Sequence, residues 1–228
     1  MLSIVIPCYN EESNLMEIIK QIDEILLNTK FEIEFILVNN GSTDNSKNIL
    51  EKLINDNRQI KLINIENNIG YGSGILSGLK IANGDVLSWT HADLQTDFFD
   101  VIRAYNKYQS ENNPDLIIKG KRKNRNFIDA FFTWGMQRYT GIKLKVKLND
   151  INAQPKLFSK SFYKKHLSLA PVDFSLDLFL LIKAKQFGMI KTIDVIFQKR
   201  KHGEAKGGGS IKGKFKLIKR TINYINNY

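Results

Sequence analysis

The feature that most constrains the fold is an alternation of short apolar runs with segments of helical periodicity in the first half of the chain. The apolar runs that predict buried strands are "LSIVIPCY", "FEIEFILVNN", "IKLINIE" and "DVLSWTHAD". The segments between them predict helices, at about residues 12–28, in "GSTDNSKNILEKLI" and in "ILSGLKIANG". We therefore predict an α/β fold whose mostly parallel, Rossmann-like sheet has helices on both faces.

The second half of the chain continues this pattern less regularly. "DFFDVIRAYNKYQSE", "FIDAFFTWGMQRYTG" and "SLDLFLLIKAKQFG" predict helices, the last ending at Gly188. "DLIIKGKR" and "IKTIDVIFQKRK" predict strands, and "NDINAQPKLFS" predicts a loop that enters a strand. Because the sequence has no internal repeat and no long linker, we expect one domain over residues 1–210, followed by a C-terminal segment over 211–228.

The cysteine content and the apolar runs bear on location. A single cysteine, Cys8, excludes an internal disulfide and a zinc site built on several cysteines, and fits a reducing compartment. The chain has 228 residues, of which 43% are hydrophobic, but no apolar run approaches the roughly 18 residues of a membrane span. The N-terminus lacks the pattern of a signal peptide. These features predict a cytoplasmic location.

Charge is distributed unevenly along the chain. Residues 1–118 hold 9 Lys and Arg against 17 Asp and Glu, whereas residues 119–228 hold 25 against 6, so the two parts carry net charges of −8 and +19. The basic part predicts an anionic partner, which would be a phosphorylated substrate, a membrane surface or a nucleic acid. The alternative is a solvated basic surface.

Polar loops follow each predicted strand of the first half. In parallel sheets, ligands bind beyond the carboxyl ends of the strands. This rule brings "PCYNEE", "NNGSTD", "NNIGYGSG" and "HADLQTD" to one cleft. The glycines in "GYGSGILSGL" do not match the dinucleotide fingerprint, which argues against a Rossmann dehydrogenase. They predict a close approach of the backbone to a ligand, or simply a flexible turn.

The "HADLQTD" loop has the composition of a magnesium or manganese site. Oxygen ligands suit both ions, and side chains that alternate along an extended segment point the same way. We therefore expect His91, Asp93 and Gln95 to face one ion. A cap and a turn are the alternative, and for Asp97 we favour the N-cap of the following helix.

The motifs "SIVIPCYNEE", "ILVNNGSTD", "NIGYGSGILSGLKIANGD" and "THADLQTD", in this order, resemble family 2 glycosyltransferases. The similarity is greatest to the dolichyl-phosphate mannosyltransferase-like, polyprenyl-phosphate branch, and it continues weakly through "LNDINAQPKLFS" and "KRKHGEAK". The resemblance implies a GT-A fold and an inverting transfer from a UDP- or GDP-linked sugar. Residues 1–100 would bind the nucleotide sugar, and 101–210 the acceptor.

The resemblance also assigns roles within the nucleotide-binding half. It places the nucleoside against Pro7, Tyr9 and Glu11. In the second loop, asparagines occupy both acidic positions of the family pattern Val-Asp-Asp-Gly-Ser, which leaves the choice of base open. The predicted nucleotide contacts that remain are Asn40, Gly70 and Gly74.

In the fourth loop the family pattern is Asp-Ala-Asp-Leu-Gln, and this chain has His91 in the first position. Loss of that carboxylate removes a hard ligand, so Asp93 is expected to be the chief ligand of Mg²⁺ or Mn²⁺, with Gln95 and His91 as further contacts.

The acceptor decides whether a catalytic base is needed, because a hydroxyl acceptor requires one and an ionised phosphate acceptor does not. The candidate bases are Asp150, Asp173 and Asp177, with a capping or helix-face role as the alternative for Asp177. Phosphate contacts are predicted after the fifth strand and in the glycine-rich segment near residue 205, and a solvated strand end is the alternative for the first group. These contacts are Lys119, Lys121, Arg122, Lys123, Arg125, Arg200, His202 and Lys206.

The last segment predicts a basic amphipathic helix over residues 211–228. Such a helix can lie on an anionic bilayer as a peripheral membrane contact, or it can dock on the domain or on a second subunit. We expect a metal-assisted glycosyltransferase of cell-envelope glycan synthesis, with a lipid phosphate or a glycan as acceptor, no nucleic-acid partner, and a homo-oligomer as one arrangement. The alternatives are a sugar-phosphate nucleotidyltransferase and a non-enzymatic anion- or nucleic-acid-binding protein.

Overall fold

A computed structural model describes residues 1–54, 59–123, 135, 138–143, 145–200 and 211–227. Its strands are β1 (Leu2–Cys8), β2 (Ile33–Asn40), β3 (Ile60–Ile65), β4 (Val86–Trp89), β5 (Leu116–Lys123), β6 (Lys156–Ser159) and β7 (Met189–Ile196). Its helices are α1 (Leu15–Asn28), α2 (Ser46–Leu53), α3 (Tyr71–Ile81), α4 (Phe99–Glu111), α5 (Lys160–His166), α6 (Leu176–Phe187) and α7 (Ile211–Asn227). Most of the aromatic-rich helix predicted in 127–141 lies outside the described residues.

The strands form one sheet of seven in the order β3-β2-β1-β4-β6-β5-β7. All neighbouring pairs are parallel except those of β6, which runs antiparallel to β4 and to β5. The loops after β1, β2 and β4 therefore share one edge of the sheet. The predicted α/β architecture is confirmed.

Alternation along β1 divides the core between the two faces of the sheet. Ile4 and Ile6 pack with Ile18 and Ile22 of α1 on one face. Val5 packs on the other face, with residues of α3 and α6 such as Ile75 and Leu180. All of these side chains are almost fully buried. A run that is apolar at every position thus matches a central strand covered on both faces, as the sequence predicts.

The C-terminal helix α7 docks on the domain at its end. Ile225 is 4% exposed and packs in a cluster with Leu178, Leu181 and Ile182 of α6. The Tyr139 hydroxyl donates to Asn226 Oδ1 at 2.8 Å. Of the two positions predicted for this helix, the structure has the docked one at residues 224–226. None of the described helices combines the length and apolar character needed to span a membrane.

Candidate active site at the carboxyl ends of the strands

The loops after β1 and β2 are joined by direct hydrogen bonds. The backbone N–H of Asn10 donates to Ser42 Oγ at 3.1 Å, and the backbone N–H of Thr43 donates to Asn10 Oδ1 at 2.7 Å. Asn10 has a φ of 54°, a left-handed conformation that asparagine tolerates. The backbone N–H of Glu11 donates to Ser46 Oγ at 3.0 Å. These hydrogen bonds hold the segment that contains Pro7, Tyr9 and Glu11 in place before any ligand binds.

The two asparagines that end β2 are buried and face different partners. Asn39 donates to Asn64 Oδ1 at 3.0 Å and accepts from the backbone N–H of Ser42 at 3.2 Å. Asn40 donates to the carbonyl of Gly70 at 3.0 Å, while its Oδ1 is buried without a hydrogen-bond partner. An unpaired buried carbonyl oxygen is costly, so Asn40 Oδ1 is an unsatisfied acceptor beside Gly70.

The glycines at the start of α3 make room for other parts of the protein. A Cβ on Gly72 would lie 2.5 Å from the carbonyl oxygen of Pro171, and one on Gly74 would lie 2.9 Å from Asn40 Cγ. Gly70 packs against the carbonyl of Val172, which also accepts from the backbone N–H of Ser73 at 2.8 Å. Protein packing thus accounts for these glycines, and nucleotide contacts of Gly70 and Gly74 stay a prediction.

The "HADLQTD" loop is a turn and not an extended segment, which corrects the basis of the predicted ligand set. β4 ends at Trp89, and Leu94 has a φ of 56°. Alternation therefore does not align His91, Asp93 and Gln95. The N-cap position of α4 is Phe98 and not the predicted Asp97, but Asp97, one residue earlier, accepts from the backbone N–H of Phe99, the first residue of the helix, at 2.9 Å.

Asp93 is the acidic centre of this loop. Its Oδ1 accepts from the backbone N–H of Gln95 at 3.1 Å, and its Oδ2 lies 2.8 Å from Arg200 Nη2. Nη1 of the same guanidinium lies 3.8 Å from Glu11 Oε1. Arg200 thereby joins the loops after β1, β4 and β7 around two carboxylates.

Gln95 anchors the segment that carries Arg200. Its Nε2 donates to the carbonyl of Gln198 at 3.1 Å, and the backbone N–H of Gln198 donates to the carbonyl of Gln95 at 2.9 Å. With its nitrogen used in this way, Gln95 has Oε1 left for a metal ion or a ligand. His202 and Lys206, predicted in the same segment, lie outside the described residues, as does Arg125.

His91 points to a partner on α3. Its Nε2 lies 2.9 Å from the Tyr71 hydroxyl, and the two rings meet edge to face with centroids 5.5 Å apart. Burial lowers the pKa of His91, against the opposing effect of Asp93 and Asp177, so the neutral ring is favoured. Phe174 stacks on the other side of Tyr71 with centroids 5.0 Å apart.

Behind Tyr71 lies a buried polar chain that the sequence does not reveal. Gln154 Nε2 donates to the Tyr71 hydroxyl oxygen at 3.2 Å and to Asp177 Oδ1 at 3.1 Å. Asp177 is also paired with Lys156, whose Nζ lies 2.7 Å from Oδ1, and the side chains are 3% and 0% exposed. Asp177, predicted as a catalytic base, thus lies in a buried ion pair.

Asp150 and Arg122 form a second buried pair. Arg122 donates to Asp150 from Nη2, from Nε at 2.9 Å and from its backbone N–H at 2.7 Å. Burial opposes ionisation of Asp150, but the hydrogen bonds and charge of Arg122 outweigh it and hold the pKa of this carboxyl below its ordinary value. The third predicted base, Asp173, accepts from the backbone N–H of Ser175 at 2.9 Å before α6.

Two lysines occupy paired positions on β5 and β6. Lys119 lies opposite Lys156 in the register, is 2% exposed, and donates to the carbonyls of Gly120 and Asp150 at 2.7 and 3.1 Å. Burial, reinforced by the charge of Lys156, lowers the pKa of Lys119 to about 7. Lys119, which was predicted to contact phosphate, is therefore buried within the sheet, whereas Lys121 and Lys123 are exposed.

A divalent cation fits this site through few protein ligands. Within the described parts of the chain, no three His, Cys, Asp or Glu side chains cluster closely enough to hold a metal ion. Asp93 supplies a carboxylate at the cleft, and Gln95 supplies an amide oxygen. Sites of this kind use one or two carboxylates together with substrate phosphates, so the residues present are compatible with Mg²⁺ or Mn²⁺.

The fold and the cleft define a GT-A α/β protein. The chain belongs to Glycosyl transferase family 2, since the sequence profile of that family matches residues 3–167. The family and the fold implied by the four motifs are thereby confirmed.

Relatives and solved structures agree with this assignment. The chain is 28% identical over 214 residues to an undecaprenyl-phosphate 4-deoxy-4-formamido-L-arabinose transferase of Pseudomonas fluorescens, matching 90% of this chain and 59% of that one. It is 26% identical over 168 residues to the dodecaprenyl-phosphate galacturonate synthase of Rhizobium johnstonii, matching 72% and 49%. The chain therefore spans about half to three fifths of the length of these relatives.

Two solved structures share the fold. Glucosyl-3-phosphoglycerate synthase of Mycobacterium tuberculosis, crystallised with Mn²⁺, UDP and glucosyl-3-phosphoglycerate, superposes with a TM-score of 0.73 at 15% identity, over 97% of this chain and 77% of that one. S. aureus TarS, in complex with UDP-GlcNAc, gives a TM-score of 0.62 at 19% identity, over 97% and 66%.

Proposed function

We propose that this protein is a metal-assisted, inverting glycosyltransferase that moves a sugar from a nucleoside diphosphate sugar to a polyprenyl phosphate, in preference to a glycan hydroxyl. The observation that carries the proposal is the meeting of Asp93, Arg200 and Glu11 at the edge of the sheet where the loops after β1, β4 and β7 converge. Family membership and the names of the polyprenyl-phosphate relatives support it.

The nucleoside would lie along the loops after β1 and β2. Tyr9 offers a ring to the base, and Glu11 and Asn40 offer acceptors to the base or the ribose. The chain can hold these groups still, because the two loops are already linked through Asn10. Loops that are held in place before binding lose less conformational entropy when the nucleotide binds. UDP and GDP both remain candidates, since amides at positions 39 and 40 can donate or accept.

The diphosphate would lie between Asp93 and Arg200. A bound Mg²⁺ or Mn²⁺ held by Asp93 and Gln95 would stabilise the negative charge that grows on the departing diphosphate. Arg200 is in place to contact phosphate oxygens once its pairing with Asp93 is exchanged for them. The segment that carries this arginine is held at the cleft by the hydrogen bond from Gln95 to Gln198.

The state of the three predicted bases favours a phosphate acceptor. Asp150 is bound by Arg122, Asp177 by Lys156, and Asp173 by the turn before α6. A hydroxyl acceptor needs a carboxylate that can take a proton, whereas a phosphate is already ionised and attacks without one. With all three carboxylates engaged, transfer to a phosphate is the reaction that these residues support best.

Calorimetry with UDP- and GDP-linked sugars tests the donor, with Mg²⁺, Mn²⁺ or EDTA present. Metal-enhanced binding of one nucleotide class is the expected result, and no binding to any would refute the proposed function. The acceptor is tested by incubating the preferred donor with vesicles that contain polyprenyl phosphate, with an oligosaccharide as the competing acceptor. Mass spectrometry should find the glycosyl lipid; a glycosylated oligosaccharide alone would contradict the phosphate preference.

A peripheral contact with an anionic membrane through α7 is part of the proposal. Lys219 and Arg220 are exposed on this helix. Replacing both by Gln should reduce sedimentation with anionic vesicles, because each basic residue near such a surface contributes roughly 1 kcal/mol. Lys164 and Lys165, an exposed pair on α5, are the matched control. If both double variants lose the same amount of vesicle binding, the effect comes from net charge alone, and α7 has no specific role in membrane contact.

A further inference from the structure

Three large apolar side chains are exposed on two segments beside the cleft. Ile69 precedes α3, and Val172 and Phe174 precede α6; these side chains are 66%, 48% and 40% exposed. Single exposed apolar residues are ordinary on a protein surface, whereas several in one place mark a binding surface. We call these three residues the apolar rim.

The two segments that carry the apolar rim are in backbone contact. The carbonyl of Val172 accepts from the backbone N–H of Ser73 at 2.8 Å, and a Cβ on Gly70 would lie 2.4 Å from the same oxygen. Ile69 is therefore the neighbour of a residue that touches Val172, although the two are far apart in the sequence. The fold brings the apolar rim together as one surface.

Phe174 connects the apolar rim to the cleft. Its ring stacks on that of Tyr71, with centroids 5.0 Å apart and an angle of 4° between the planes. The Tyr71 hydroxyl lies 2.9 Å from Nε2 of His91, which belongs to the same loop as Asp93. Phe174 is thus joined through Tyr71 to the loop at which the proposed function has the diphosphate.

Polar side chains next to the apolar rim bind backbone groups of their own loops. Asn68 Oδ1 accepts from the backbone N–H of Gly70 at 3.0 Å, and Asp173 Oδ1 accepts from that of Ser175 at 2.9 Å. The apolar rim therefore offers hydrocarbon contacts to a ligand. A sugar would fit it poorly, because burying a hydroxyl without a hydrogen-bond partner costs free energy.

The cleft itself offers positive charge. Arg200 lies 2.8 Å from Asp93, and the guanidinium carbon of Arg122 lies 5.2 Å from the ring centroid of Phe197, three residues before Arg200. Guanidinium groups bind phosphate oxygens well. A ligand that reaches from these arginines to the apolar rim needs an anionic end and a hydrocarbon chain.

We propose that the apolar rim binds the isoprenoid chain of the acceptor, in the part next to its phosphate, while the phosphate lies in the cleft. This inference rests on the proposed function for its ligand and assigns a surface to the chain. It also gives the enzyme a means of choosing a long-chain phosphate over a short one, since each buried methylene contributes about fourfold in affinity.

Calorimetry with two soluble phosphates tests whether the chain is bound. Farnesyl phosphate has three isoprene units and dimethylallyl phosphate has one, and both are titrated with Mn²⁺ present and without detergent or lipid. We expect farnesyl phosphate to bind at least about 10-fold more tightly, because its longer chain reaches the apolar rim. Equal affinities for the two phosphates would overturn the inference.

The double variant Ile69→Ser with Val172→Thr tests where the chain lies. Because both side chains are exposed, the melting temperature should change little. Affinity for farnesyl phosphate should fall about 10-fold, and affinity for dimethylallyl phosphate by less than about twofold. The apolar double variant Ile69→Leu with Val172→Ile should keep the preference of the unmodified protein. An unchanged preference in the polar double variant would overturn the inference.

Met16 and Leu27 supply the matched control. They are 65% and 85% exposed and lie on α1, which packs on the other face of the sheet from α3 and α6. Met16→Thr with Leu27→Ser should leave both affinities unchanged. If this control loses as much affinity for farnesyl phosphate as the polar double variant, the chain binds exposed apolar residues nonspecifically and the inference fails.

Two other occupants of the apolar rim, a bilayer and a second copy of this chain, would give different results. Sedimentation with phosphatidylcholine vesicles tests the bilayer, and light scattering tests the second copy. The polar double variant could lose vesicle binding or a dimer and still prefer farnesyl phosphate as the unmodified protein does. That result would assign the apolar rim to the other partner and overturn the inference.

The outcomes are distinct from failure of the proposed function. If no UDP- or GDP-linked sugar binds, the proposed function fails, and the affinities for the two phosphates still decide whether the apolar rim holds an isoprenoid chain. If the unmodified protein transfers sugar to polyprenyl phosphate, and the polar double variant keeps the preference for farnesyl phosphate, the proposed function stands and this inference fails.

Discussion

Arg200 Nη2 lies 2.8 Å from Asp93 Oδ2 while Nη1 of the same side chain lies 3.8 Å from Glu11 Oε1, so one guanidinium is shared between two carboxylates of the cleft. The Arg200 side chain is 20% exposed and the two carboxylates 12% and 11%. Without such a cation, two partly buried negative charges would repel each other. A divalent cation at Asp93 must compete with this arginine, which links metal binding to the position of the segment after β7.

Replacing Arg200 by Gln should therefore separate metal binding from nucleotide binding. We expect Mn²⁺ alone to bind about fivefold more tightly, since an ion pair of this exposure contributes roughly 1 kcal/mol. Affinity for the nucleoside diphosphate in the presence of Mn²⁺ should fall about 10-fold, because a charge-assisted contact is lost. Calorimetry measures both, and Lys199→Gln, at an exposed neighbouring position, is the control. Weaker Mn²⁺ binding by the Arg200 variant would contradict the competition.

Asp93→Asn should abolish metal-enhanced nucleotide binding and lower turnover by about 100-fold or more, as expected when charge stabilisation of the transition state is lost. The melting temperature should change little, because the asparagine keeps an oxygen for the N–H of Gln95. Asp97→Asn is the control, since that residue contacts the start of α4. A fully active Asp93 variant would remove this residue from the mechanism.

Lys156→Met should destabilise the protein by about 3 to 5 kcal/mol, because it leaves Asp177 charged and buried without its partner. Adding Asp177→Asn should recover much of this loss, since no charge is then buried. Urea unfolding of the single and double variants measures the difference. Lys191→Met breaks the ion pair with Glu111, whose side chains are 36% and 29% exposed, and should cost about 1 kcal/mol or less. Additive losses at positions 156 and 177 would argue against the pairing.

Gly72→Ala should destabilise the protein and displace the segment before α6, because the new Cβ would lie 2.5 Å from the carbonyl of Pro171. A loss of about 1 to 3 kcal/mol is typical of overpacking of this kind. Gly141→Ala is the matched control, since its Cβ would meet Val146 O at 3.6 Å, an ordinary contact. Gly141→Ala should leave the free energy of unfolding unchanged or raise it slightly. Similar losses in the two variants would show that the backbone around Gly72 can shift to accept a Cβ.

The free energy of unfolding should rise with pH from about 7 because of Lys119, whose pKa burial lowers to about 7. Above that pH the folded protein releases a proton that unfolded lysine retains up to about pH 10, so stability increases with pH. Lys119→Met should flatten the rise between pH 7 and 9, and Lys121→Met, at an exposed position on the same strand, should not. Denaturant titrations at several pH values measure the slope. If Lys119→Met leaves the slope of the free energy of unfolding against pH unchanged, groups other than Lys119 cause the rise.

The alternation of apolar runs and amphipathic helices was sufficient to predict the sheet. A strand that is covered on both faces is apolar at every position, and the helices that cover it are apolar on one face. β1 and the helix with Ile18 and Ile22 are examples. The predicted extended geometry of "HADLQTD" was wrong because it depended on Leu94, whose left-handed φ no neighbouring residue indicates. α3 begins at Tyr71, among glycines that helical propensity disfavours, because the segment at 171–173 packs on them.

The buried chain from Lys156 to His91 could not be predicted because it depends on tertiary contacts. Gln154 and Tyr71 are 83 positions apart, and Asp177 is a further partner from another helix. A lysine in the middle of "QPKLFS" is a weak signal, because a strand with an apolar pattern and one basic residue usually exposes that residue. Here the residue is wholly buried.

The reversed direction of β6 has a consequence for how the cleft is assembled. Lys156, the first residue of β6, pairs with Trp89, the last residue of β4. A strand that runs parallel to its neighbours contributes the loop after its last residue to this edge, whereas β6 contributes the loop before its first residue. Asp150 and Gln154 thereby enter the site from upstream of their strand. Insertions or deletions before residue 150 can therefore reshape the part of the cleft that contains Asp150 and Gln154 without altering the register of β1, β2 and β4.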